Sequence, residues 1–215
     1  MVIIVTYMRY PLKLTSVRPN LCIYTPDYEQ VKETYEKLLE ANTGELFPFW
    51  AKLWPSSTAL VQFIQANLNI VKDKTVMEIG AGLGLPSLTI AAVAKSIEVT
   101  DYVPEAVELL QKNIQHLQLN NVIAKQLDWN NCSDTIYAEV LLLSDVNYNP
   151  VEFDGLMNLI SDCIDRGTII LLATPQRIMA SPFVHALQQF IKESHVEKMI
   201  ENGKSVEISI LVLSK

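Results

Sequence analysis

Short apolar segments alternate with helix-forming segments over most of the chain, from about residue 74 onward. The segments that predict strands are, in order, "KTVMEIG", "SIEVTD", "VIAKQLD", "AEVLLLSD" and "GTIILLAT". Some of them contain runs, such as "VLLLS" and "TIILLA", that are apolar at almost every position. Strands of that kind are covered on both faces, so the pattern predicts an α/β fold in which a mostly parallel sheet has helices on each side.

The end of the chain departs from this alternation. Helices are predicted over residues 86–95, 104–118, 151–165 and 181–192. After them, "HVEKMIE" and "SVEISILVLS" are joined by the turn "NGK", which predicts a hairpin and therefore an antiparallel strand. Five strands plus this hairpin predict a Rossmann-like, seven-stranded sheet, which differs from the six strands of an ordinary dinucleotide-binding domain.

The first 73 residues are less regular. "MVIIVTY" and "LCIYT" are predicted to pair as a small ribbon, and helices are predicted over residues 27–40 and 56–67, the second with Pro55 at its start. Between the helices lies "ELFPFWAKLWPSS", the window with the highest density of aromatic residues. Because the sequence shows no repeat and no linker, we expect one domain of 215 residues, in which residues 1–73 form a cap on a core of residues 74–215.

Composition narrows the classes of function. A net charge of −7 and a pI near 5.0 argue against a duplex nucleic-acid partner, because phosphate binding depends on clustered Lys and Arg. The three cysteines, Cys22, Cys132 and Cys163, are far apart with no C-x-x-C, and the histidines form no H-x-x-x-H pair, so we expect buried, reduced thiols and no metal. Neither a membrane span nor a signal peptide is evident, so a cytoplasmic location is expected.

The segment "EIGAGLG" joins the first core strand to a helix. Its glycines, Gly80, Gly82 and Gly84, follow a G-x-G-x-G pattern, and Leu85 stands where the last glycine of a G-x-G-x-x-G fingerprint would be. In a dinucleotide-binding loop that glycine allows close packing beside a pyrophosphate. Leu85-Pro86 is bulky there, which favours a ligand without phosphates.

S-adenosylmethionine has an adenosine and a charged amino-acid tail but no phosphate. The N–H groups of the glycine loop could bind the carboxylate of this tail, and Glu78 could lie near the ammonium of the tail. Asp101 ends the next strand, where a carboxylate can accept both ribose hydroxyls. After the third strand, Asp128 is placed to accept the adenine amino group, and Trp129 offers a flat face to the ring. The alternative makes Asp128 a cap or turn residue and Trp129 a core residue.

The fourth strand ends in "SDVNYNP", at the edge where ligands of open α/β sheets bind. Asp145 could attract a cationic amine there, and Tyr148 could line the slot through a cation–π contact. A simple turn that carries Asn147, Asn149 and Pro150 would explain the loop equally well, but not its position after an apolar strand.

Taken in order, "FWAKLWPSS", "EIGAGLGLPSL", "VTDYVPEAVELLQKNI", "LDW" and the D-x-x-Y of "DVNY" resemble the family-16 methyltransferases. These are a lysine-methyltransferase-like branch of the seven-β-strand S-adenosylmethionine enzymes, and the resemblance extends from about residue 49 to residue 177. It implies that the cofactor contacts are Glu78, Gly80, Gly82, Asp101, Asp128 and Trp129. It also implies that Trp54 comes over the methionine end and that Asp145 and Tyr148 border the acceptor. Trp50 and Trp54 could instead be a packed aromatic pair.

The resemblance implies direct displacement of a methyl group from S-adenosylmethionine to nitrogen, with a protein lysine as the expected acceptor. Three alternatives stay open at this point: a small amine or pyridine as acceptor, a non-catalytic module that binds the cofactor, and a nicotinamide-dependent oxidoreductase, which Leu85-Pro86 disfavours. Arg177, in "LLATPQRIMASPF", is expected on the acceptor side. It either meets an acidic flank of a target or is solvated.

Overall fold

The computed structural model describes residues 9–42, 44, 46–130 and 136–215. The strands are β1 (Leu12–Arg18), β2 (Leu21–Pro26), β3 (Thr75–Ile79), β4 (Ser96–Asp101), β5 (Val122–Gln126), β6 (Val140–Ser144), β7 (Ile169–Pro175), β8 (Ile191–Glu201) and β9 (Lys204–Leu213). The helices are α1 (Tyr28–Glu40), α2 (Pro55–Ala66), α3 (Leu85–Ile90), α4 (Pro104–His116), α5 (Phe153–Asp165) and α6 (Ser181–Ala186). None of these helices is long and apolar enough to span a bilayer.

The large sheet has seven strands in the order β5-β4-β3-β6-β7-β9-β8. The strands from β5 to β7 are parallel to their neighbours, whereas β9 is antiparallel to both β7 and β8. The predicted Rossmann-like sheet with a terminal antiparallel hairpin is therefore confirmed. The strand order reverses at β3, which lies between β4 and β6, and this reversal leaves a crevice at the carboxyl ends of the strands.

The central strands are buried on both faces, as their apolar runs predict. In β6, Leu141 and Leu143 belong to the core cluster that contains Leu156 and Ile160 of α5. Leu142 of the same strand belongs to the opposite cluster, which contains residues of α2, α3 and α4. Side chains alternate between the faces of a strand, so each face needs its own layer of helices.

Two predicted helices end earlier than expected. The helix predicted over residues 181–192 ends at Ala186, and a 3-10 turn over Gln188–Phe190 leads into β8. Residues from Ile191 onward pair with β9 along almost its whole length, and these ladder hydrogen bonds override the local helical pattern. The helix predicted over residues 86–95 ends at Ile90, because the next residues return to the sheet, where the Lys95 N–H donates to Lys74 O.

The N-terminal region contains the predicted ribbon in part. "LCIYT" lies in β2, but its partner is β1 rather than "MVIIVTY", which lies outside the described residues. Helix α1 begins after Asp27, whose carboxylate accepts the Glu29 N–H at 3.2 Å, and α2 begins at Pro55 as predicted.

A third core cluster joins the N-terminal region to the glycine loop. Val31 of α1 and Trp50 are buried together with Leu83 of that loop and Leu109 of α4. The side chain of Asn113 in α4 also pairs with the backbone of β2, because it accepts the Tyr24 N–H at 2.7 Å and donates to Tyr24 O at 3.0 Å. These contacts position the N-terminal region over the carboxyl ends of the strands.

Candidate active site

A cavity of about 670 Å³ opens at the carboxyl ends of β3, β4, β5 and β6. The loops that follow these strands line it, together with N-terminal residues between 46 and 54. Eight of the nine predicted site residues line this cavity: Trp54, Gly80, Gly82, Asp101, Asp128, Trp129, Asp145 and Tyr148. The ninth, Glu78, lies behind the glycine loop. The topology thus brings the candidates together, while the role of each residue stays a prediction.

The glycine loop is closely packed against two neighbours. Gly80 and Gly82 have φ values of +64° and +53°, in the left-handed region that favours glycine. A Cβ at Gly80 would lie 2.9 Å from Val146 Cγ1, and one at Gly82 would lie 3.1 Å from Trp50 O. The backbone of this loop therefore lies close to both the acceptor-side loop and the N-terminal region, and a side chain at either glycine would crowd its neighbour.

The N–H groups of the loop are largely used within the protein. Ala81 donates to Thr100 O at 2.9 Å, Gly82 donates to Asp101 Oδ2 at 2.8 Å, and Gly84 donates to Ala81 O at 2.8 Å. A contact of the glycine N–H groups with a ligand carboxylate stays a prediction, and at Gly82 and Gly84 the ligand would have to share the N–H group with its present acceptor. Because Gly80 and Gly82 have no side chains, a ligand can lie close to the backbone of the loop.

Gly80→Ala should weaken binding of S-adenosylhomocysteine by about tenfold, since left-handed strain of roughly 1–2 kcal/mol adds to the contact with Val146. Isothermal titration calorimetry measures the affinity. Gly203→Ala is the matched control, because Gly203 has a φ of +75° in the terminal hairpin and no atom within 4 Å of its Cβ position. Equal affinity losses in both variants would contradict a specific role for the loop.

Asp101 holds the glycine loop closed. Its Oδ2 accepts the Gly82 N–H at 2.8 Å, and its Oδ1 accepts the Val103 N–H at 3.0 Å, just before α4. The side chain is almost fully buried, and that burial raises the pKa of its carboxyl, an effect that the two N–H donors oppose. Each carboxylate oxygen keeps a second lone pair, so the predicted ribose contact stays compatible with this bonding. The bracing of the loop was not predicted from the sequence.

Glu78 is fully buried at the end of β3. Its Oε2 accepts the Ser87 N–H of α3 at 2.9 Å, whereas its Oε1 has no partner among the described residues. Burial raises the pKa of this carboxyl to about 7, and the nearby charge of Asp101 acts in the same direction, against the hydrogen bonds from Ser87. The predicted contact with a ligand ammonium stays a prediction, because Glu78 lies behind the loop.

The raised pKa of Glu78 predicts a pH-dependent stability. In the unfolded chain this carboxyl loses its proton near pH 4.5, but in the folded protein it keeps the proton up to about pH 7. Between these values only the folded state holds the proton, so the free energy of unfolding should fall as pH rises from 4.5 to about 7, by up to about 3 kcal/mol. Above that range this contribution should be flat.

Glu78→Gln should remove this slope and be more stable than the wild type at pH 8. Urea unfolding of both proteins across pH 4.5 to 8 measures the difference between the two curves. Glu98→Gln, at a partly exposed ion pair on β4, is the control and should follow the wild type. Parallel curves for wild type and Glu78→Gln would show that Glu78 titrates normally.

Asp128 and Trp129 follow β5. Asp128 Oδ1 accepts the Asn130 N–H at 2.9 Å, so the residue forms the turn that the sequence left as an alternative. The indole ring of Trp129 is partly buried against Gly80, and its Nε1 has no hydrogen-bond partner among the described residues. That nitrogen is buried, so the part of Trp129 that a ligand in the cavity can contact is the ring rather than the N–H.

An aromatic wall, formed by Phe49, Trp54 and Tyr148, closes the N-terminal side of the cavity. The ring centroid of Phe49 lies 5.3 Å from that of Tyr148 and 6.1 Å from that of Trp54, whose Nε1 donates to Phe49 O at 2.8 Å. Trp50 pairs with Tyr10 instead. Phe49 was not predicted as a site residue, although the aromatic density of its segment was the available signal.

Asp145 is already paired in this structure. Arg177 Nη1 donates to Asp145 Oδ1 at 2.5 Å, and Nη2 donates to Oδ2 at 3.2 Å, which is a bidentate fork. Asp145 is 8% exposed and has a φ of +57°, with its N–H bonded to Ala173 O. The alternative that Arg177 is merely solvated was therefore wrong, whereas a contact with an acidic flank of a target stays a prediction. Only the adjacency of β6 and β7 could have indicated the pair, since Asp145 and Arg177 both follow the carboxyl ends of these neighbouring strands.

The sequence of residues 49–193 matches the model of a protein family described as lysine methyltransferase. Protein N-terminal and lysine N-methyltransferase efm7 of Neurospora crassa is 30% identical to this chain in an alignment of 130 residues that covers 50% of this chain and 46% of that protein. Histone-arginine methyltransferase METTL23 of Rattus norvegicus is 30% identical over 112 residues, or 49% of each protein. The chain thus spans about half the length of these curated relatives.

Solved structures share the fold. The tRNA (uracil-54, C5)-methyltransferase of Pyrococcus abyssi, solved in complex with S-adenosyl-L-homocysteine, aligns with a TM-score of 0.55 at 13% sequence identity. The alignment covers 72% of this chain and 38% of that chain. At this identity, the likeness concerns the arrangement of helices and strands alone.

Proposed function

The chain belongs to the lysine methyltransferase family, and from that membership we propose that it transfers a methyl group from S-adenosyl-L-methionine to a protein lysine by direct displacement. One observation supports the proposal most: the buried carboxylate of Asp145 and the ring of Tyr148 share a single cavity with the glycine loop. A cationic side chain and a nucleoside can therefore be held next to each other. Such positioning supplies a large part of the rate in a displacement reaction.

The residues of the cavity fit S-adenosyl-L-methionine. The volume of the cavity, about 670 Å³, lies within the range of roughly 300–1,000 Å³ that small-molecule sites have. Asp101 offers spare lone pairs for the ribose, and Trp129 offers a flat ring near the glycine loop. Asp128 and Trp54 complete the proposed set, at the adenine and at the methionine end.

When bound, this cofactor supplies a methyl group attached to a positively charged sulfur. The residues of the chain have to bind the acceptor amine, orient it and let its proton leave, because only a neutral amine can attack. Tyr148 is not a candidate base at neutral pH, since burial, together with the charges around it, raises the pKa of its phenol. Asp145 is the proposed orienting group, and water is the proposed proton acceptor.

A protein arginine is the second candidate acceptor. Asp145 holds the guanidinium of Arg177 in a bidentate fork, so its geometry demonstrably suits that group. The relative METTL23 is named as a histone-arginine methyltransferase. Amino-acid analysis of the methylated product separates methyl-lysine from methyl-arginine.

Transfer of labelled methyl groups tests the proposed function. The full chain is incubated with tritiated S-adenosyl-L-methionine and a lysate of its own cell, and labelled proteins are identified by mass spectrometry. We expect discrete labelled proteins that carry methyl-lysine. Label in small molecules alone would favour an amine metabolite as acceptor, and cofactor binding without any transfer would favour a non-catalytic module.

The proposal extends to organisation and location. We propose one domain in which residues 1–73 cap the core, which the shared cluster of Val31, Trp50, Leu83 and Leu109 supports. We also propose a cytoplasmic location and no nucleic-acid partner, which the net charge of −7 supports. Cys22, expected to be buried, is exposed, and Cys132 lies outside the described residues.

A further inference from the structure

A second cavity, of about 390 Å³, lies on the other side of Asp145 and Trp54. These two residues line both cavities and so form the partition between them. The second cavity is lined further by residues that follow β7 and by residues of the terminal hairpin, among them Arg177, Glu201 and Glu207. Two routes therefore reach the carboxylate of Asp145, one from the proposed cofactor site and one from this second cavity.

The guanidinium of Arg177 binds the carboxylate of Asp145 from the side of the second cavity. Arg177 lines that cavity but not the first, and its two Nη atoms take both carboxylate oxygens. An incoming ammonium would meet a carboxylate that is already neutralised, beside a cation that repels it. An amine acceptor therefore cannot use Asp145 while the pair is closed.

Of the two partners, Arg177 is the one that can move. Asp145 is nearly buried, and its backbone N–H is bonded to Ala173 O of β7. Arg177 lies after the end of β7, its side chain is 33% exposed, and the second cavity beside it also contains two carboxylates. One of them, Glu207, is about half exposed and paired with Lys198 only at 3.7 Å, so it can receive a guanidinium that leaves Asp145.

We propose that the second cavity is the entrance for a cationic acceptor side chain and that Arg177 is a latch, which the acceptor's ammonium replaces at Asp145. This inference rests on the proposed function and adds a positioning residue to it. Arg177 keeps the buried carboxylate paired while no acceptor is bound. It also discriminates against neutral side chains, because a neutral group cannot compete with a guanidinium for a carboxylate.

The latch can be observed directly by NMR, because the chain has only four arginines: Arg9, Arg18, Arg166 and Arg177. The full chain, labelled with 15N and saturated with S-adenosylhomocysteine, is titrated with n-butylammonium as a probe for a lysine side chain. Arg177→Lys assigns the Nε–Hε signal of Arg177 by its disappearance. We expect this signal to shift toward the position of a solvated guanidinium, and n-butanol, the uncharged control, to leave it in place.

Affinity gives a second, independent readout. Arg177→Gln should bind n-butylammonium about tenfold more tightly than the wild type, as expected when the open form is about one-tenth populated. An Arg177 signal that n-butylammonium does not move at any concentration would overturn the latch, and so would equal or weaker binding by Arg177→Gln. The wild-type titration decides the question even where the variant does not fold. Calorimetry with S-adenosylhomocysteine on the same samples separates failure of the latch from failure of the proposed function. Absence of cofactor binding would contradict the proposed function itself.

Discussion

Asp145→Asn should reduce methyl transfer to lysate proteins by about 100-fold or more, while its affinity for S-adenosylhomocysteine stays within a few fold of the wild type. Asparagine keeps the shape of the side chain but removes the negative charge that a cationic acceptor needs. Loss of one member of a buried charge pair costs roughly 2–5 kcal/mol, which corresponds to a factor of 100 near 2.7 kcal/mol. Transfer of tritiated methyl groups and calorimetry measure the two effects separately.

Asp162→Asn is the matched control for this substitution. Asp162 is 70% exposed on α5 and faces Arg166 at 3.9 Å, so it forms an acid–arginine pair outside the cavity. We expect transfer by this variant to equal that of the wild type, because exposed ion pairs contribute little. Full transfer by Asp145→Asn would contradict the proposed role of Asp145, and a parallel loss of cofactor binding would show that the substitution damages the cavity as a whole.

The sheet was predictable because strands that are buried on both faces have apolar residues at almost every position, which is visible in the sequence. The run "VLLLS" is apolar at nearly every position, and in β6 Leu141 and Leu142 indeed face opposite core clusters. The hairpin was predictable from its Asn-Gly turn. Residues 191 and 192 were harder, because their helical pattern is overridden by pairing with β9, a contact between segments that a local window does not contain.

The candidate site was predictable only at the level of which loops form it. Residues at the ends of parallel strands meet at one edge, so Asp101, Asp128 and Asp145 could be placed near one cavity from their positions alone. The partner of each carboxylate could not be placed in the same way. Arg177 meets Asp145 through a side-chain fork across two neighbouring strands, and Phe49 reaches Tyr148 from a segment about 100 residues earlier in sequence.

The carboxylates of the cavity already have partners within the protein, which changes how the site should be understood. Asp101 accepts the N–H groups of Gly82 and Val103, Asp128 accepts the N–H of Asn130, and Asp145 accepts the guanidinium of Arg177. Each of them has a structural role as well as a proposed ligand. Substitutions at these carboxylates should therefore separate the structural role from the ligand contact. The new side chain should keep the hydrogen bonds of one role and lose those of the other.

Asp101→Asn is such a substitution, and it should weaken binding of S-adenosylhomocysteine by about 10- to 100-fold. An asparagine side chain has one carbonyl oxygen, so it can accept from Gly82 or from Val103, and its NH₂ group then faces the remaining N–H. A buried donor left without an acceptor costs about 1–3 kcal/mol, and every 1.4 kcal/mol is tenfold in affinity. The glycine loop should open at Gly82, and isothermal titration calorimetry measures the consequence.

Glu98→Gln tests whether that loss is specific, because Glu98 lies on the same strand, β4, but forms only a partly exposed ion pair with Lys125. Its affinity for S-adenosylhomocysteine should stay within about twofold of the wild type. Thermal unfolding without ligand adds a further distinction. If Asp101 stabilises the loop, Asp101→Asn should also lower the melting temperature. If Asp101 only binds the ribose, affinity should fall while the melting temperature stays unchanged. If the affinity of Asp101→Asn stayed within about threefold of the wild type, Asp101 would neither close the loop nor bind the ligand, since even one lost hydrogen bond to a charged group is worth more than that.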